Sequence, residues 1–72
     1  MSETVDARGL SCPQPVLMAL TKMREMKTGQ LEVLVDNEVS KENVSRAASK
    51  EGWVVAHIQQ DAEAYHIVLK RS

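Results

Sequence analysis

The sequence predicts an α/β two-layer sandwich of order β-α-β-α-β-β, with a mixed four-stranded sheet and both helices on one face. Three observations carry this. Two stretches with apolar residues at helical spacing each lie between β-prone runs. Such alternation calls for crossovers, and right-handed crossovers running the same way put both helices on one side of the sheet. The last two β-prone runs are separated by a short polar stretch, which suits an antiparallel hairpin. At 72 residues the chain reads as one domain, 1-72, and a chain this short buries only part of its surface, so modest stability is expected.

The first strand is placed at Glu3 to Ala7. Arg8 to Ser11 form a loop in which Gly9 can take backbone angles that other residues avoid. Pro13 to about Met26 reads as a helix, with Val16, Ala19, Leu20, Met23 and Lys27 along one stripe and Leu17 and Met26 on its flanks. Pro13 suits the first turn, where its missing N–H is not needed, and Pro15 is tolerable there. Lys27 complements the helix dipole, and Gly29 is expected to terminate the helix.

Leu31 to Val35 is the second strand, with Leu31, Val33 and Val35 facing one way and Leu34 the other. Asp36-Asn37 ends it and offers a cap for the next helix, with Ser40 as a competing cap. That helix runs to about Lys50 on a narrow stripe of Val44, Ala47 and Ala48, with Glu42, Arg46, Ser49 and Lys50 solvated. Glu51-Gly52 stops it. Trp53 to Ile58 is a strand with two apolar faces, so the face turned to the helices is left open. Gln59 to Glu63 connects it to a last strand, Tyr65 to Leu69, with Tyr65, Ile67 and Leu69 on one face. The two crossovers are expected to join parallel neighbours.

Nine Lys+Arg against ten Asp+Glu give a formal charge of -1. That lacks the basic surplus of a nucleic-acid binder, and Trp53 and Tyr65 are too few aromatics for a base-stacking platform. Direct nucleic-acid binding is therefore not expected. No apolar run approaches the length that spans a bilayer, and no leader pattern precedes the first strand. A cytoplasmic location is the expectation. Neither a metal nor a cofactor is expected, since the single cysteine excludes an internal disulfide, a CxxC pair and a Cys-rich zinc site.

That cysteine, Cys12, is the candidate catalytic residue. It stands between a loop glycine and the first helix, in Gly9-Leu10-Ser11-Cys12-Pro13-Gln14-Pro15. As the cap residue or its neighbour it would meet the positive end of the helix dipole, which favours a thiolate. Pro13 brings no N–H, so the nearest donors are the amides of Gln14 and Val16. By spacing alone a buried, inert cysteine fits as well. The prolines after it and the glycine before it favour presentation.

Arg8 is near enough to steady an anion, or is simply a solvated loop arginine. His57 and His66 fall on strands and read as structural or exposed, which disfavours a Cys-His site. Asp36 could reach the same sheet edge, but a carboxylate there would oppose a thiolate, so it reads as a cap. Met23 and Met26 read as core rather than as a metal box. Met18 reads as either a surface methionine or a contact for a partner.

The run Val5-Asp6-Ala7-Arg8-Gly9-Leu10-Ser11-Cys12-Pro13-Gln14-Pro15-Val16 resembles the signature of the TusA/SirA/YedF-like sulfur-carrier family. The similarity continues through Val35-Asp36-Asn37, Glu42-Asn43-Val44 and Ala48 to Gly52, and Asp36-Asn37 with Asn43 looks most like the YedF branch. The resemblance implies that Cys12 accepts sulfur as a persulfide and hands it on in a sulfur relay, supported by Gly9, Leu10, Pro13, Gln14, Pro15 and Arg8. It implies a cysteine desulfurase or rhodanese-like protein as donor and a DsrE-like or other protein as acceptor, and thus at most a sulfurtransferase-type activity. Ser11 stands where the tRNA-thiolation carrier has a basic residue, which points to a different relay. The alternatives are a selenium-metabolism or thiol redox protein using the same cysteine, and a non-catalytic interaction module using the uncovered sheet face.

Overall fold

In the computed structural model, the described residues are 2–10 and 13–72. They form β1 (Ser2–Asp6), α1 (Gln14–Met26), β2 (Gly29–Val35), α2 (Glu38–Lys50), β3 (Val54–Gln60) and β4 (Tyr65–Arg71). One four-stranded sheet has the order β1-β2-β4-β3. β1 runs parallel to β2, with Val5 opposite Val33. β4 runs antiparallel to both of its neighbours, with Ile67 opposite Val33 on one side and Ile58 on the other.

The β-α-β-α-β-β order, the mixed sheet and the hairpin are as the sequence predicts. One expectation is corrected. β2 and β3 run the same way but are not neighbours, because β4 lies between them. The reason is burial. Ile67, Val68 and Leu69 are all buried, so β4 is apolar on both faces and loses most water at the centre. β3 exposes Val54, Ala56, His57 and Gln59, which an edge position tolerates.

Both helices pack on one face of the sheet. Ala19 and Met23 from α1, and Val44 and Ala48 from α2, share a single apolar cluster with Leu31, Val33 and Val35 of β2 and Ile67 and Leu69 of β4. The small residues Ala19 and Ala48 allow the helices to lie close to the strands. Pro15 is also buried, at the sheet-facing side of the first turn. Trp53 is buried just ahead of β3, which settles the open question of facing. Val55 then turns to the core while Val54 is exposed, and a register shift between Val55 and His57 bends the strand.

The helix ends differ in kind. Asn37 caps α2, its side chain accepting the Ser40 N–H at 2.8 Å. Ser40, the competing cap, is instead buried. At the other end Gly52, with φ +84°, completes a Schellman turn. Its N–H donates to the Ser49 carbonyl and the Trp53 N–H to that of Ala48. α1 ends at Met26, three residues before Gly29, the expected terminator. Lys27 makes the turn with φ 68°, and the Thr28 N–H donates to the Met26 carbonyl at 2.8 Å across it. The Lys27 side chain therefore leaves the helical stripe on which the spacing puts it.

Candidate functional site

Three connections meet where β1 and β2 end, since Val35 at the end of β2 faces Tyr65 at the start of β4. Among the described residues they are 7–10 with Pro13, 36–37 and 61–64. This C-terminal edge of the parallel pair is a common seat of function in α/β folds.

The first connection leaves the sheet gradually. The Ala7 N–H still donates to the Leu34 carbonyl at 2.8 Å. Arg8 then turns back on Asp6, its Nε donating to Oδ1 at 2.9 Å and its Nη2 to Oδ2 at 2.8 Å. Those hydrogen bonds from Arg8 hold the Asp6 carboxyl at about 2 and raise the pKa of Arg8 itself. The guanidinium is thus matched by a carboxylate, which makes Arg8 part of an exposed pair rather than a free cation.

Gly9 follows with φ +78°, a conformation that costs a residue with a Cβ about 1 kcal/mol or more. Its N–H donates to Asp36 Oδ2 at 2.7 Å, joining two loops 27 residues apart. Asp36 does reach the edge, but as a brace for this loop. The capping role that the sequence assigns to it belongs to its neighbour Asn37, whose Nδ2 also donates to Asp36 Oδ1 at 3.2 Å. The signal for the brace lies in the sequence: a carboxylate directly after a strand parallel to β1 must end beside the loop leaving β1. Leu10 then tucks partly into the core.

Pro13 is the N-cap of α1, one position before the first helical turn in which the sequence reading places it. Its carbonyl accepts the Leu17 N–H at 3.0 Å. Among the described residues no side chain caps this helix. Pro13 and Pro15 supply no N–H, so Gln14 and Val16 carry the first-turn donors, and Gln14 is exposed. Ser11 and Cys12, including the thiol on which the functional reading turns, lie outside the described residues. What the structure gives is their two anchors, Leu10 on the core and Pro13 at the helix tip.

Among the described residues neither histidine is paired with a nucleophile. His57 is exposed on the edge strand β3. His66 lies on the uncovered face, its Nε2 2.7 Å from Asp61 Oδ2 and its Nδ1 2.9 Å from Glu32 Oε2. Hydrogen bonds to Asp61 and then Glu32 raise its pKa above 6.5. Asp61 also accepts the N–H groups of Glu63 and Ala64, so this cluster ties the β3–β4 turn to the sheet. Met23 and Met26 join the core. Met18 and Leu17 are exposed and line a groove with Thr4, Asp6 and Lys22 along β1. A second groove, between the helices, begins at Pro13. No helix among the described residues is long and apolar enough to cross a membrane.

Against known families, the model described as sulfurtransferase TusA matches residues 3–71. This chain belongs to the TusA family. The sulfur carrier protein TusA of Allochromatium vinosum is 28% identical over 71 residues, covering 97% of this chain and 93% of that one. YedF of Escherichia coli K12 is 32% identical over 68 residues, covering 93% of this chain and 88% of its own. Among solved structures, a SirA-like protein from Desulfitobacterium hafniense superposes with a TM-score of 0.88 at 30% identity, over 100% of this chain and 99% of that one.

Proposed function

We propose that this protein is a sulfur carrier that holds sulfane sulfur on Cys12 as a persulfide. The Cys12 thiolate attacks the terminal sulfur of a donor persulfide, an S–S bond forms, and the donor departs as a thiolate. An acceptor thiolate then attacks the terminal sulfur held on Cys12, and the Cys12 thiolate is released. Sulfur moves between thiols with no net oxidation, so neither step needs a cofactor. A cysteine desulfurase or rhodanese-like protein serves as donor and a DsrE-like or other sulfur-accepting protein as acceptor, in the cytoplasm.

The observation that carries this reading is the TusA match over residues 3–71, which includes the cysteine motif. The site's flanks support it. The Gly9–Asp36 hydrogen bond and the Leu10 contact flank one side of the motif, and Pro13 flanks the other at a helix tip that no side chain caps among the described residues. Gln14 and Val16 can donate N–H groups to an anionic sulfur there, Pro15 anchors the turn in the core, and the Arg8–Asp6 pair stiffens the approach.

The test is mass spectrometry after incubation with a cysteine desulfurase and cysteine. The expected product is heavier by one sulfur atom, reverts on reduction, and does not form in Cys12→Ser. Adduct formation that persists in Cys12→Ser would reject the proposal.

A further inference from the structure

The groove between the helices has a floor and a rim of different character. Val16 and Leu20 of α1 and Ala47 of α2 form an apolar floor, and Pro13 closes one end, directly after Cys12 in the chain. Its volume is about 380 Å³. Val16, Leu20 and Ala47 are each only half-buried, so the apolar surface is open to an occupant. The charged residues lining the groove are Arg46 and Lys50, both exposed, and no carboxylate lines it. The described ion pairs engage Arg8, Lys22, Arg24 and His66 but neither of these two. Arg24, on the neighbouring helix, is by contrast bound to Glu51.

An apolar trough with a cationic rim selects by both area and sign. Apolar burial supplies affinity, and the uncompensated charges steer an acidic partner and repel a basic one. We propose that this groove docks an acidic, apolar-centred segment of the protein that delivers sulfur to Cys12. The inference rests on the sulfur-carrier reading and adds to it the route by which the donor is oriented. The trough starts at Pro13, so a segment seated along it brings the donor's persulfide to the Cys12 end of α1. Placement of this kind turns a collision between two proteins into a positioned transfer.

The experiment compares wild type with the double variant Arg46→Glu, Lys50→Glu. Both residues are exposed and outside the cysteine motif, and melting curves verify the fold. Loading of Cys12 is timed by mass spectrometry with two sulfur sources, a cysteine desulfurase with cysteine and inorganic polysulfide. Enzyme-driven loading is expected to fall roughly tenfold in the variant, while polysulfide loading is unchanged. Raising the ionic strength should slow the wild type with the enzyme and leave the variant nearly insensitive. Equal enzyme-driven rates in the two proteins would overturn the groove proposal and leave the carrier reading standing. So would a wild type that accepts sulfur from polysulfide but not from the desulfurase. Failure of Cys12 to load from either source would overturn both.

Discussion

At the scale of single residues, polar groups decide the detail. Ser40 is buried, 2% exposed, and its hydroxyl has no hydrogen-bond partner among the described residues. Removing an unsatisfied buried hydroxyl relieves a desolvation cost, so Ser40→Ala is expected to raise stability by about 1 kcal/mol in urea unfolding. A loss of that size would mean the hydroxyl is paired in solution. His66 gives a pH signature. Its pKa is raised, so its contribution is complete below 6.5 and fades as pH climbs through the folded-state value. Asp61 is lowered from 3.8 to about 2 by the Glu63 amide, His66 and the Ala64 amide. Its contribution is complete above 3.8 and fades as pH falls through about 2. Melting temperature against pH should therefore decline on the alkaline side in wild type and much less in His66→Gln. Parallel curves would contradict this. The sequence reads His66 as structural or exposed, and its two carboxylate partners make it structural. It could not reveal the carboxylates, because Glu32 lies 34 residues away and meets His66 only through the β2–β4 register.

Elements are better written in the chain than their endings. The stripe of α1 and the narrow stripe of α2 are legible because helical spacing is a local property. The Glu51-Gly52 stop is legible too, since a glycine in the left-handed region is the usual C-terminal signal. The end of α1 is not. Gly29 is the attractive terminator, yet Lys27 takes the positive φ because β2 begins at Gly29 and the chain must already have turned. A side chain held in that region stores roughly 1–3 kcal/mol, against which a glycine loses roughly 0.4–1 kcal/mol through the unfolded chain. Lys27→Gly should therefore stabilise the protein by about 1 kcal/mol. Urea titration of that variant checks it, and a destabilised Lys27→Gly would place Lys27 in an ordinary conformation. The site follows the same division. The thiol motif and its helix can be read locally, while the Asp36 brace and the cationic trough depend on which loops and helices come together.

For the molecule as a whole, the two faces and two edges of the sheet are unequal. Leu69 is fully buried in the central strand, whereas Ile58 on the edge strand keeps 41% of its surface in water. Leu69→Ala should cost about 3 kcal/mol, a large part of the roughly 5–15 kcal/mol that holds such a domain together. Ile58→Ala should cost less than half as much, and equal losses by calorimetry would refute the assigned strand order. Two-layer architecture and hairpin were legible from alternation of elements. Strand order was not, since the second crossover specifies direction but not adjacency. The inserted strand has a consequence for biosynthesis. The middle of the sheet, Tyr65–Arg71, is translated after every strand that flanks it. A ribosome must therefore finish that stretch and let it emerge before its neighbours can close around it, so maturation of this protein waits on the last strand to leave the exit tunnel.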